Sequence, residues 1–188
     1  MKRKLFCPML FGLLSLLMII CVPVRAEPVA SGTFGRSNLE MQWSVEGNTL
    51  YITGNGYMDG FSRKESRPWD SYLGQIQRIV MTGTIDNIGS YAFEGCTELT
   101  EIVWPDGLKY IGNYAFSNCT ALKNVTIPGQ VETINEFAFE RCTALEAVVM
   151  SESVKVIDDG VFSDCSALNT VTLSPKLREI GRWCFMRC

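Results

Sequence analysis

The sequence predicts a mainly β fold, a right-handed solenoid whose successive coils contribute short strands to a parallel sheet, with short helical or 3-10 turns between them. One pattern of apolar residues recurs every 23 residues from about residue 76 to Cys188. A fixed period of this length is the signature of stacked coils. In front of it, two runs that alternate apolar and polar residues flank a Gly-Asn turn, which predicts a β-hairpin that caps the solenoid.

The first 26 residues predict a secretory signal peptide that is cleaved after Ala26. A basic start (Lys2-Arg3-Lys4) precedes an apolar run from Leu5 to about Val22, and Val24-Arg25-Ala26 supplies a cleavage site. Two alternatives stay open. The apolar run is near the lower limit for an uncleaved membrane anchor, and Cys21 could carry a lipid, although Ile20 is bulky for that motif. We therefore expect a secreted or cell-surface protein.

The charge and residue types of the remaining chain exclude several functions. Of 17 basic and 20 acidic residues, residues 1–26 contain four basic and no acidic ones, so the rest carries a formal charge of −7. An acidic excess argues against nucleic acid or anionic membrane as partner. The chain has no histidine, which removes histidine-based triads and histidine metal ligands. We expect no cofactor and no metal.

The repeat unit predicts which residues form the core. Its second half, Leu122-x-x-Val125-x-Ile127, has the L-x-x-L-x-L spacing of leucine-rich repeats, and Pro128 then ends the strand. Val125 and Ile127 should point inward because side chains alternate along a strand. The recurring core positions are Phe93, Cys96, Leu99, Phe116, Cys119, Leu122, Phe139, Cys142, Leu145, Phe162, Cys165 and Leu168.

The cysteines follow the repeat, so we expect packing rather than bonding. One small buried thiol in each coil behaves as a small hydrophobe, although neighbouring strands are close enough for bridges between coils to be conceivable. We predict that Cys96, Cys119, Cys142 and Cys165 are unbridged. Cys184 and Cys188, four residues apart, lack the further ligands of a zinc site.

Residues 27–72 form the predicted cap, and residues 73–188 form the solenoid, whose last repeat is truncated. The hairpin spans about Met41 to Ile52, and the aromatic residues Trp43, Tyr57 and Trp69 are candidates to cover the first coil. A carbohydrate-stacking role for these three aromatics is the alternative. At the other end, we expect the uncovered coil around Trp183 either to continue in a longer protein or to self-associate, since open sheet edges pair with other chains.

The unit Ile-Gly-x-Tyr-Ala-Phe-x-x-Cys-Thr-x-Leu, followed by a strand and proline, resembles the BspA-like leucine-rich repeat over about residues 76–188. The cap resembles the leader module of secreted bacterial members at Gly32–Asn38, Trp43, Leu50–Met58 and Pro68-Trp69, with Phe34 at a position where cysteine is frequent. The resemblance implies surface or secreted proteins that bind host or bacterial partners, often as adhesins. It implies no catalytic residues.

The binding interpretation requires an exposed face on the strands. Two columns of outward positions are expected on the concave sheet, and one of them is unusually apolar, as interaction sites are; the alternative is that β-branched residues simply suit strands. The candidate binding residues are Arg78, Val80, Glu101, Val103, Asn124, Thr126, Val149, Thr170 and Thr172.

We therefore predict a non-catalytic extracellular binding protein that recognises a protein ligand, such as host extracellular matrix or another bacterial surface protein. The alternatives are a spacer module of a larger surface protein and a carbohydrate-binding module. An enzyme is not expected. Its best candidate, the adjacent pair Asp158 and Asp159, occupies a repeat turn, whereas paired glycosidase carboxylates come from separated elements.

Overall fold

The computed structural model describes residues 28–35, 41–62 and 67–188, and these form a β-solenoid. The described residues contain one short 3-10 helix, Asp70–Gln75, and no α-helix. The predicted signal peptide lies outside the described residues. The strands are β1 Ala30–Phe34, β2 Met41–Glu46, β3 Thr49–Thr53, β4 Gly56–Tyr57, β5 Arg78–Thr82, β6 Ile85–Ile88, β7 Glu101–Val103, β8 Tyr110–Ile111, β9 Asn124–Thr126, β10 Thr133–Ile134, β11 Ala147–Val149, β12 Val156–Ile157, β13 Thr170–Thr172 and β14 Glu179–Ile180.

The front of the molecule is an antiparallel cap that continues directly into the first coils. β1, β2 and β3 pair antiparallel, and β3 then pairs parallel with β5, which pairs with β7. The predicted hairpin is the β2–β3 pair, whereas β1 was not anticipated from the sequence. Because β3 and β5 share one ladder, the cap supplies the first coil with the strand partner that a terminal coil otherwise lacks.

Each later coil contributes one strand to each of two parallel sheets. A six-stranded sheet has the order β14-β12-β10-β8-β6-β4, and a three-stranded sheet has the order β13-β11-β9. Residues 23 apart face each other in both, as in Ile134↔Ile157 and Val125↔Val148. The repeat period of the sequence is therefore the register of the sheets.

The turns around the phenylalanines that recur every 23 residues are not helices. Hydrogen bonds from residue i+3 to residue i recur there, as from Cys96 N to Phe93 O at 3.2 Å. A residue with positive φ interrupts each turn, as at Tyr91 (60°) and Tyr114 (56°), and prevents a helix from continuing. Backbone bonds between coils take over instead: Phe93 N donates to Ala115 O at 2.8 Å, and the equivalent amides of later coils do the same.

The core is a stack of equivalent side chains closed at the front by Trp69. The rings of Phe93 and Phe116 lie 5.2 Å apart, and the stack continues through Phe162 to Phe185. Eleven of the twelve predicted core residues are buried, and Leu168 is partly buried against the same cluster.

Trp69 is fully buried on Phe93, with ring centroids 6.0 Å apart, and its Nε1 donates to Ala92 O at 2.9 Å. Trp43 packs against Trp69 at 6.2 Å. The expectation that Tyr57 also covers this end was wrong, because Tyr57 is 55% exposed on β4. β4 pairs with β6 and forms the front edge of the six-stranded sheet, and the Tyr57 side chain is on its exposed side.

The last coil leaves apolar side chains uncovered. Leu173, Ile180 and Trp183 are exposed, whereas Met150 and Ile157, which lie 23 residues before Leu173 and Ile180, are buried. The difference arises because the interior residues lie under a following coil.

Candidate functional site

The candidate binding residues all lie on the strands β5, β7, β9, β11 and β13, with their side chains on the outer side of the sheets. Alternation places them there, since Ile79, Val125 and Val148 between them are buried. The strand pairing divides them into two groups. The first comprises Arg78, Val80, Glu101 and Val103 on β5 and β7; the second comprises Asn124, Thr126, Val149, Thr170 and Thr172 on β9, β11 and β13.

The first group is held by a surface ion pair. Arg78 and Glu101 face each other in the register, and Arg78 Nε lies 3.0 Å from Glu101 Oε1. Val80 and Val103 also face each other and are each partly buried. An exposed ion pair of this kind adds little to stability.

The second group forms an open face with two short columns. Asn124, Ala147 and Thr170 lie in one column, and Thr126, Val149 and Thr172 lie in the other. Val149, at the centre of the second column, is 43% exposed. A β-branched apolar side chain between two threonines gives a small contact surface with hydroxyl groups on both sides.

Between the two groups the sheet is interrupted, which the sequence analysis did not anticipate. β7 pairs with β5, and β9 pairs with β11, but no ladder joins β7 to β9 within residues 67–188. A groove of about 370 Å³ opens there, within the usual size range of ligand pockets. It is lined by Thr100, Glu101, Ile102, Trp104, Asn124, Val125, Thr126 and Pro128.

Trp104 marks the groove in the sequence. It occupies the repeat position that Met81, Ile127 and Met150 fill with buried, smaller side chains. The indole packs edge-on against Phe116, with ring centroids 5.5 Å apart, and stays partly exposed. A tryptophan at a position otherwise held by isoleucine, methionine or leucine is the signal that could have located the groove.

A second cavity lies on the cap, with a volume of about 590 Å³. It is lined mainly by hydroxyl and amide side chains of β1 to β3, and Trp43 contributes from β2. Of the three aromatics considered for sugar stacking, Trp69 is buried and Tyr57 lies on a different sheet. The structure therefore does not bring the three together.

The acidic pair considered for catalysis serves the stacking of the coils. Asp159 accepts a hydrogen bond from Arg182 N at 2.6 Å and pairs with the Arg182 guanidinium at 3.2 Å. Partial burial, with the nearby carboxylates of Glu136 and Glu179, raises the pKa of Asp158.

The thiols are free and most are deeply buried. Cys96, Cys119, Cys142, Cys165 and Cys184 are buried, Cys188 is exposed, and none of the six is bridged. Cys142 Sγ donates to Phe116 O at 3.3 Å, and Cys119, Cys165 and Cys188 make the same contact with their own preceding coils. Burial raises the pKa of Cys96 to about 12, so this thiol is not an activated nucleophile.

Within the described ranges, no cluster of three or more potential metal-ligating side chains is found. In the same part of the chain, no helix has the length and apolar character needed to cross a bilayer.

Comparison with known proteins gives one family match. The family model described as "BspA type Leucine rich repeat region" matches residues 71–188 with six copies. Among curated proteins, none matches the sequence.

Several solved structures share the fold. A leucine-rich repeat protein from Eubacterium ventriosum is 20% identical, with a TM-score of 0.59, over 78% of this chain and 45% of its own. A leucine rich cell surface protein from Faecalibacterium prausnitzii is 23% identical, with a TM-score of 0.55, over 84% and 52%. The pneumococcal vaccine antigen PcpA is 17% identical, with a TM-score of 0.57, over 83% and 47%. The chain thus spans about half the length of these proteins.

Proposed function

Because this chain belongs to the family of BspA-type leucine-rich repeat proteins, we propose that it is a non-catalytic extracellular protein that recognises protein partners through the outer face of its strands. The family supports a protein-binding or adhesion-type role, and two structural relatives are described as a cell surface protein and a vaccine antigen. The observation that carries the proposal is the open face of β9, β11 and β13, centred on the exposed Val149.

The partners we propose are host extracellular matrix or another bacterial surface protein. The predicted signal peptide supports an extracellular location, and the acidic character of the remaining chain favours partners with basic surfaces. A bound glycan has weaker support, because Trp69 is buried and Tyr57 lies on a different sheet from Trp43. Self-association through the exposed Ile180 and Trp183 is a further proposal, and light scattering would test it: a stable monomer at tens of micromolar contradicts it.

The binding proposal is tested with two matched surface variants. Val149 on the three-stranded sheet and Tyr110 on the six-stranded sheet are each 43% exposed. The chain is coupled to beads, and bead adhesion is measured on bacterial cells and on extracellular matrix. Val149→Lys should reduce adhesion strongly, and Tyr110→Lys should not. A spacer module would give no adhesion with any variant, and equal losses would place the contact elsewhere.

A further inference from the structure

The two strands that border the groove present unpaired backbone groups to it. Ala147 N donates to Lys123 O, and Ile127 N donates to Val149 O, so Lys123, Val125 and Ile127 direct their amides and carbonyls toward β11. The alternating residues of the strand, Asn124 and Thr126, direct theirs toward the groove.

On the other side of the groove, β7 uses alternate residues to bond to β5 and to face the groove. Glu101 N donates to Gln77 O, so Glu101 and Val103 face β5, and Ile102 faces the groove with its amide and carbonyl. Neither Ile102 nor the facing residues of β9 form a backbone bond across the groove in residues 67–188. The groove therefore has the amide and carbonyl of Ile102 on the β7 side, and those of Asn124 and Thr126 on the β9 side.

The opening is local, because the same two coils are joined elsewhere. Thr133 and Ile134 of β10 pair with Tyr110 and Ile111 of β8. On the turn side, Phe116 N donates to Ala138 O at 2.8 Å. The two coils thus stay stacked on two sides and separate only between β7 and β9, where Trp104 replaces a smaller residue. We infer that the bulk of the indole causes the opening.

An extended peptide is the ligand that fits these groups. A row of alternating amides and carbonyls is matched by another β-strand, and strand addition to an open sheet edge is a recurring mode of peptide recognition. Inside the groove, Ile102 and Trp104 offer apolar contacts. Glu101, the one charged residue among the eight lining residues, is already paired with Arg78 at 3.0 Å. It is the acidic excess of residues 27–188 that favours a basic side chain on the peptide.

We propose that the groove between β7 and β9 binds an extended, basic peptide strand that hydrogen bonds to Ile102 on one side and to Asn124 and Thr126 on the other. This inference rests on the proposed function and names the ligand class and the position. The alternating side chains of the bound strand point inward over Ile102 and Trp104 and outward beside Glu101.

The probe is a panel of capped heptapeptides with alternating valine and polar residues, in which the central inward residue is Val, Leu or Phe and the outward residue beside it is Lys or Glu. Binding is measured by titration, and amide hydrogen exchange is measured in the same samples. At least one lysine-containing peptide should bind and protect the amides of Asn124 and Thr126. N-methylation of the central peptide amides should weaken binding at least tenfold, because each methyl removes a donor.

Two pairs of variants separate backbone from side-chain effects. Asn124→Pro removes the amide that faces the groove, so it should weaken binding about threefold to tenfold more than Asn124→Ala does. Trp104→Ile should close the groove and abolish peptide binding. Met150→Ile, the same repeat position two coils later, should leave the affinity unchanged. Circular dichroism checks that each variant is folded.

Two results would overturn the inference. One is that no peptide of the panel binds; the other is that peptides bind without protecting Asn124 and Thr126, or equally well after N-methylation. If the parent chain adheres to cells or matrix and Val149→Lys strongly reduces that adhesion, the proposed function stands and only the groove assignment fails. If the parent chain does not adhere either, both proposals fail.

Discussion

The turn side and the strand side of the same coils differ in how completely they are joined. On the turn side, the backbone bond made by Phe93 N recurs in each coil through Phe162 N, and thiols add contacts to the preceding coil. On the strand side, the ladder stops between β7 and β9. The difference teaches that stacking on the turn side and the six-stranded sheet is sufficient to hold two coils together while their other strands separate.

The largest loss of stability is expected from a cavity in the phenylalanine stack of the turn side. Phe116 is fully buried between Phe93 and Phe139, so Phe116→Ala should lower the free energy of unfolding by about 3–5 kcal/mol. Urea unfolding followed by circular dichroism measures it. Phe185→Ala, at the partly buried end of the same stack, should cost clearly less. Equal stability of Phe116→Ala and the parent chain would show that the turn side does not hold the coils.

A smaller effect is expected from the thiols. Cys142 is fully buried and donates to Phe116 O, so Cys142→Ala should cost about 1–2 kcal/mol through the lost contacts and the small cavity. Cys188→Ala, at an exposed position, is the matched control and should change stability little. Similar losses in both variants would contradict a packing role.

The chemistry of the same thiols gives an independent check. Of the six thiols Cys188 is exposed and the other five are buried, so an alkylating reagent at pH 8 should label Cys188 first in the folded protein. Burial raises the pKa of Cys96 and of Cys184 to about 12, so these two should stay unlabelled. After unfolding without reductant, all six cysteines from Cys96 to Cys188 should react. Finding Cys96, Cys119, Cys142 and Cys165 unreactive after unfolding would mean that they are bridged.

The 23-residue period was sufficient to predict the solenoid, the sheet register and the core, because stacking requires equivalent residues at equivalent places. The period could not predict the turn conformation, since positive φ at Tyr91 and Tyr114 is uncommon for residues other than glycine. It also could not predict the groove. An average over coils hides Trp104, whose side chain is larger than the methionine, isoleucine and leucine at the same repeat position.

Replacing Trp104 should make the strand side as continuous as the turn side. Trp104→Ile loses the edge contact with Phe116 but allows β7 and β9 to form ladder bonds, so we expect a net change in unfolding free energy below about 1 kcal/mol. The amides of Asn124 and Thr126 should exchange more slowly than in the parent chain. Unchanged exchange in a folded variant would show that the indole does not cause the opening.

The smallest effects concern charges beside the continuous six-stranded sheet, where two carboxylates should respond to pH in opposite directions. Burial and nearby carboxylates raise the pKa of Asp158 above its ordinary value of 3.8. Its ionised form therefore disfavours the fold, and the stability present below that value is lost as the pH rises through the folded pKa.

Asp158→Asn should accordingly raise the melting temperature slightly at pH 7 and have no effect below about pH 4.

Glu132 is the contrasting case, because a hydrogen bond from Lys155 Nζ at 2.7 Å lowers its pKa below the ordinary 4.5. Its contribution is present above that value and is lost as the pH falls through the folded pKa, so Glu132→Gln should lower the melting temperature at pH 7 and lose its effect in acid. Melting curves of both variants between pH 3 and pH 7, at low and high salt, measure the difference. The Glu132 effect should also shrink in salt, since its partner is at the surface. Melting-temperature shifts of the same sign in the two variants would contradict the opposite pKa shifts of Asp158 and Glu132.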